Sequence, residues 1–165
     1  MIRILLADDH TVLRECLVTA LRASGDCVVV AEAGDGINAI EQAHAVRPDV
    51  AIVDISMPRL NGIEVVRRLT TELPRTRVLV LTMHEEDEYV LQVVRAGASG
   101  YLIKHAATAE LLVAIRAVAA GGVYFGPYAT RVIAEQLQQP QRLTADPYGA
   151  LSPREREVLH LVVDG

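Results

Sequence analysis

The sequence predicts an α/β domain, doubly wound around a five-stranded parallel sheet, over about residues 1–120. Three observations predict it. Five β-rich runs occur, at 2–7, 27–33, 50–54, 77–82 and 99–103. The segments between them carry helical periodicity. The runs themselves, such as Val28-Val29-Val30 and Ala51-Ile52-Val53, do not alternate apolar with polar. Strands apolar on both faces belong to a parallel sheet covered by helices, and strict βα alternation supplies those helices.

The chain opens on Ile2-Arg3-Ile4-Leu5-Leu6-Ala7, and Val12, Leu13, Cys16, Leu17, Ala20 and Leu21 follow at helical spacing. After the second run, Gly34-Asp35-Gly36 is no nucleotide loop, because it lacks a third glycine and follows the wrong strand. After the third, Met57-Pro58 reads as a loop of fixed φ. Asn61 then caps a helix with Glu64 at N3, and Ile63, Val66 and Leu69 share its face. Glu85-Glu86-Asp87-Glu88 reads as the acidic first turn of the next helix, favoured by its dipole. The last helix of the domain presents Leu111, Leu112, Ile115, Val118 and Ala119 and stops at Gly121-Gly122. Residues 121–150 read as a linker with a helix at about 126–139, on which Ala129, Val132, Ile133 and Leu137 share a face. At 151–165 a new helical domain begins, with Ser152 as N-cap, Pro153 at N1 and Glu155 at N3.

Composition narrows the class. An apolar fraction of 51% over 165 residues supports a full core. With Phe125 and five tyrosines as its only aromatics, that core is built from Val, Leu, Ile and Ala. A net charge of −5 argues against a nucleic-acid surface spread over the chain. Cys16 and Cys27 make no disulfide framework and read as small buried hydrophobes. The chain starts directly in a strand, and no uncharged stretch reaches the about 20 residues of a membrane span. A soluble, cytoplasmic protein with no membrane partner is the expectation.

The chemistry lies where the apolar runs end. Asp8-Asp9 closes the first, Asp54 the third, Thr82 the fourth and Lys104 the fifth. Lys104 is the one lysine against fifteen arginines, a compact mobile charge where arginine gives a planar fork. In a parallel sheet these residues share one edge, where ligands of such folds bind. Singly each is bland: a helix cap, a turn residue, a structural threonine, a solvated lysine. Together they make a magnesium and phosphoryl site. Magnesium takes hard oxygens: Asp9 and Asp54 offer carboxylates, Ser56 its backbone carbonyl, and Asp8 acts through water. Asp54 can then attack phosphorus, with Lys104 and Thr82 holding phosphoryl oxygens. His10 and His84 lie nearby without a partner histidine and read as solvated or supporting groups.

These residues resemble the response regulators of two-component signalling. Residues 1–120 resemble the receiver domain, flavodoxin-like in topology, through Asp8-Asp9, Asp54-Ile55-Ser56-Met57-Pro58, Asn61-Gly62, Thr82, Tyr101 and Lys104. The segments 96–104 and 151–159 resemble the NarL/FixJ branch, in which a LuxR-type helix-turn-helix follows the receiver. The resemblance implies that a sensor histidine kinase phosphorylates Asp54, that Asp9, Asp54 and Ser56 bind Mg2+, and that Thr82 and Tyr101 form a switch pair. It further implies a homodimer on phosphorylation and transcription control as output. His105 stands where many receivers carry proline, which fits this branch. Residues 121–165 hold four arginines and five acids, so DNA binding is expected only through a full-length effector domain, of which 151–165 is an incomplete start.

Two other readings compete with this one. A magnesium-dependent phosphatase of the haloacid-dehalogenase kind needs an acid two places after its nucleophile, whereas Ile55 and Ser56 follow Asp54. A plain interaction module would leave the acidic edge incidental. The expectation is a switch and not an enzyme.

Overall fold

The computed structural model describes residues 1–139 together with Arg154, Glu157, Val158, Leu161 and Val162. Strands and helices alternate as β1 (Ile2–Ala7), α1 (Thr11–Ala23), β2 (Cys27–Ala33), α2 (Gly36–Val46), β3 (Val50–Val53) and α3 (Gly62–Glu72). They continue as β4 (Arg77–Thr82), α4 (Asp87–Ala96), β5 (Gly100–Ile103), α5 (Thr108–Ala119), β6 (Tyr124–Phe125) and α6 (Pro127–Leu137). The sheet order is β2-β1-β3-β4-β5-β6, every neighbouring pair parallel. The order reverses at β1, so the crevice beyond β1 and β3 is the place for a ligand.

The sheet has six strands, not the five expected. Tyr124 and Phe125 pair with Gly100 and Tyr101. A two-residue strand has no periodicity to read, so no apolar run announced it. Cys16 is a second correction, since it is exposed while Cys27 is buried. In α1 the helical stripe is wider than the face that packs, and Cys16 falls beside it. The acidic run divides: Glu86 is the N-cap of α4, and only Asp87 and Glu88 lie in its first turn.

The strands are apolar on both faces because both are covered. Leu5, Ala51, Val53, Val78 and Val80 face α2, α3 and α4, with Ile40, Val66, Leu69, Val90 and Val93 as the facing residues. Ile4, Leu6, Ile52, Leu79 and Leu102 face the other way, onto Leu21 of α1 and Leu111, Ile115 and Val118 of α5. Each fully buried Val or Leu contributes about 1.5–3 kcal/mol, so these two layers hold the sheet edge that carries the polar residues. Helix α6 inserts Ala129, Val132 and Ile133 into the first layer beside α4.

The helix expected from residue 151 falls partly outside the described residues, as do Ser152, Pro153 and Glu155 and the linker beyond residue 139. The described members are helical. Val158 is buried in the first layer, and the Arg154 guanidinium donates to the Ala98 carbonyl at 2.6 Å. Among the described residues no helix is long and apolar enough to cross a membrane.

Candidate functional site

Backbone pairing delivers the polar residues to one edge. The Asp8 amide donates to the Ala33 carbonyl at 3.0 Å, the Asp54 amide to Ala7 at 3.0 Å, and the Lys104 amide to Thr82 at 2.8 Å. Each residue therefore leaves its strand at the same level as its neighbour. Gly62 sets the loop after Asp54. Its amide donates to the Ile55 carbonyl at 2.8 Å, and a Cβ there would lie 2.0 Å from the Asp54 carbonyl oxygen. Asn61 caps α3, its side chain accepting from the Glu64 amide at 3.0 Å. The capping expected from sequence is thus present.

Asp8 and Asp54 are 2% and 3% exposed, and Thr82 is fully buried. The Lys104 ammonium bridges the two carboxylates, 2.7 Å from Asp8 Oδ2 and 2.9 Å from Asp54 Oδ2. Burial alone would lower the lysine's pKa. Its hydrogen bonds to Asp8 and Asp54 and their charges outweigh that, and the net shift is upward. Ligand atoms of Asp8, Asp9, His10 and Asp54 all lie within 4.8 Å of one another. Hard carboxylate oxygens gathered around a cationic group form a donor set that suits a small divalent cation. Ser56 sits two residues after Asp54 on the exposed rim.

Four further groups join this arrangement: Tyr101 is the switch residue the resemblance implied, His10 and His84 are the nearby supporting groups, and Arg14 alone went unread in the sequence. His10 puts Nδ1 2.9 Å from Asp8 Oδ1 and 3.2 Å from Asp9 Oδ1. Arg14 donates to the Asp8 carbonyl. His84 hydrogen-bonds the Ser56 hydroxyl through Nε2 and lies 3.4 Å from Glu86 through Nδ1. Its backbone amide donates to Thr82 Oγ1 at 3.3 Å. Tyr101 points inward, 1% exposed, and donates its hydroxyl to the His84 carbonyl at 2.6 Å. Burial, with nearby acids and Tyr128 adding to it, pushes that phenol's pKa well up, so it remains a donor.

A protein-family model described as "response regulator receiver domain" matches residues 4–116. The transcriptional regulatory protein DegU of Brevibacillus brevis is 37% identical over 178 residues, spanning 99% of this chain and 75% of that protein. The oxygen regulatory protein NreC of Staphylococcus aureus is 36% identical over 168 residues, spanning 99% of this chain and 77% of that protein. The crystal structure of a LuxR-family two-component response regulator from Aurantimonas sp. superposes with a TM-score of 0.79 at 34% identity. That match covers 84% of this chain and 99% of the solved one.

Proposed function

The chain belongs to the response regulator receiver family, as a NarL/LuxR-type member of a two-component system, and we propose that Asp54 is its phospho-acceptor. One observation carries this reading: a buried carboxylate at the end of β3 whose counter-charge is the Lys104 ammonium and whose neighbours are two more carboxylates. The donor would be a phosphohistidine of a sensor kinase. An Asp54 carboxylate oxygen attacks phosphorus, the P–O bond forms as the P–N bond breaks, and the leaving imidazole takes up a proton.

Each residue then has a part. Asp8, Asp9, Asp54 and the Ser56 carbonyl would hold Mg2+. The ion would supply positive charge that offsets carboxylate repulsion and an incoming phosphate. Lys104 moves from the carboxylates to a phosphoryl oxygen and Thr82 donates its hydroxyl to another. Tyr101 and Thr82 form the switch, which shifts a pre-existing equilibrium by its differential affinity for the two states. Homodimerisation follows phosphorylation. Residues 1–120 are the receiver, 121–150 the linker and 151–165 the first part of a LuxR-type DNA-binding domain through which transcription is regulated. A cytoplasmic location follows from a kinase partner of this class.

The metal requirement tests the scheme. Labelling by acetyl phosphate is expected to vanish in EDTA and to return with excess Mg2+. Labelling that persists in EDTA would remove the ion from the reaction.

A further inference from the structure

The loop between β4 and α4 is held from outside. Glu86, the N-cap of α4, makes no side-chain capping bond, so the loop lacks the usual local anchor. Two tyrosines from distant elements hold it instead. Tyr101 of β5 donates to the His84 carbonyl at 2.6 Å, and Tyr128, in the first turn of α6, donates to the carbonyl of the next residue, Glu85. The Tyr128 hydroxyl also lies 2.8 Å from Asp87 Oδ1. The same loop reaches two residues beside the proposed acceptor, through the His84 amide on Thr82 and the His84 ring on Ser56.

A second connection ties α6 to Tyr101 itself. The Gly126 amide, at the N-cap of α6, donates to the Tyr101 carbonyl at 3.0 Å, and Phe125 is paired with Tyr101 across the sheet. The loop, the inward tyrosine and the start of α6 therefore share one hydrogen-bonded unit. Arg131 lies over the Tyr128 ring, 5.4 Å from its centroid, and bonds Glu135 one turn on, which orients the ring from within α6. Burial, with Asp87 second, pushes the Tyr128 phenol up to about 12, so the hydroxyl stays protonated over ordinary pH.

We propose that Tyr128 makes docking of α6 and phosphorylation of Asp54 mutually favourable, by clamping the β4–α4 loop in the arrangement that keeps Tyr101 inward. The inference rests on the phospho-acceptor and switch-pair reading above, and takes the inward Tyr101 as the arrangement that accompanies the phosphorylated state. Coupling of this kind is reciprocal. A phosphoryl group that favours the clamped loop must tighten α6 by the same factor by which a docked α6 tightens phosphoryl binding. Helix α6 is thereby the element that carries the state of Asp54 to whatever follows it in the chain.

The test uses the whole chain with beryllofluoride and Mg2+ as the phosphoryl mimic. In the wild-type protein, the mimic is expected to slow amide exchange across 127–137. Tyr128→Phe is expected to weaken beryllofluoride binding by about two- to tenfold, the range spanned by one net hydrogen bond, while the melting curve shows it folded. The exchange measurement needs no variant, so misfolding of Tyr128→Phe would not decide the matter. Binding to wild type with equal affinity in Tyr128→Phe, or with no change in exchange over α6, overturns the coupling and leaves the acceptor site standing. No binding to wild type overturns both.

Discussion

Replacing Lys104 by methionine removes the one cation between two buried carboxylates and keeps the length of the stem. The ammonium lies 2.7 Å from Asp8 and 2.9 Å from Asp54, and its side chain is 5% exposed. Removing one partner of a buried ion pair costs about 3–5 kcal/mol, because the other charge remains desolvated. Asp8 keeps the His10 amide at 2.8 Å and the His10 ring at 2.9 Å, which places the loss at the lower end, about 3 kcal/mol near neutral pH. For a chain of this length that is a fall in melting temperature of about 6–12 °C. The deficit has a signature that loss of packing lacks. It shrinks with added Mg2+, a cation that binds only the folded form. Urea unfolding of both proteins near neutral pH, with and without Mg2+, measures both. A deficit below about 0.5 kcal/mol, the size of an ordinary surface substitution, or one unchanged by Mg2+, would refute the reasoning.

Three further outcomes follow from single contacts. The Lys104 pKa is raised above its ordinary 10.5 by Asp8 and Asp54 despite burial. Its stabilisation is therefore complete below the unfolded pKa and is lost as pH rises through the folded value, so wild type loses stability in alkali that Lys104→Met does not, in melts across that range. Gly62→Ala drives a Cβ against the Asp54 carbonyl, 2.0 Å away. It should cost at least the upper part of the about 1–3 kcal/mol usual for overpacking, read by urea titration. Asn61→Ala removes the α3 cap and should cost about 1 kcal/mol with little effect on phosphoryl uptake.

Much of the site was legible because strand ends are. An apolar run that stops at Asp8, Asp54, Thr82 or Lys104 places a polar group at a sheet edge whatever the strand order. The βα alternation made that edge common to all four. The order itself, with β1 between β2 and β3, follows from tertiary packing and left no mark on the runs. Strand β6 escaped because two residues carry no period. Tyr101 is buried because β6 and α6 cover it, and neither covering was visible from its neighbours. The same reason hid Tyr128. Its partner carbonyl is 43 residues away, and nothing in Gly126-Pro127-Tyr128-Ala129 indicates that the phenol reaches back over the β4–α4 loop. His84 reads in the sequence as a solvated or supporting group, but its neighbours do not show that the structure uses its amide, carbonyl and ring separately.

The central claim is that Asp54 takes up a phosphoryl group, and intact mass after incubation with acetyl phosphate and Mg2+ tests it most directly, on wild type and Asp54→Asn side by side. The account predicts one added phosphoryl group on wild type and none on the folded variant. Equal addition to both proteins, or none to a folded wild type, would contradict it.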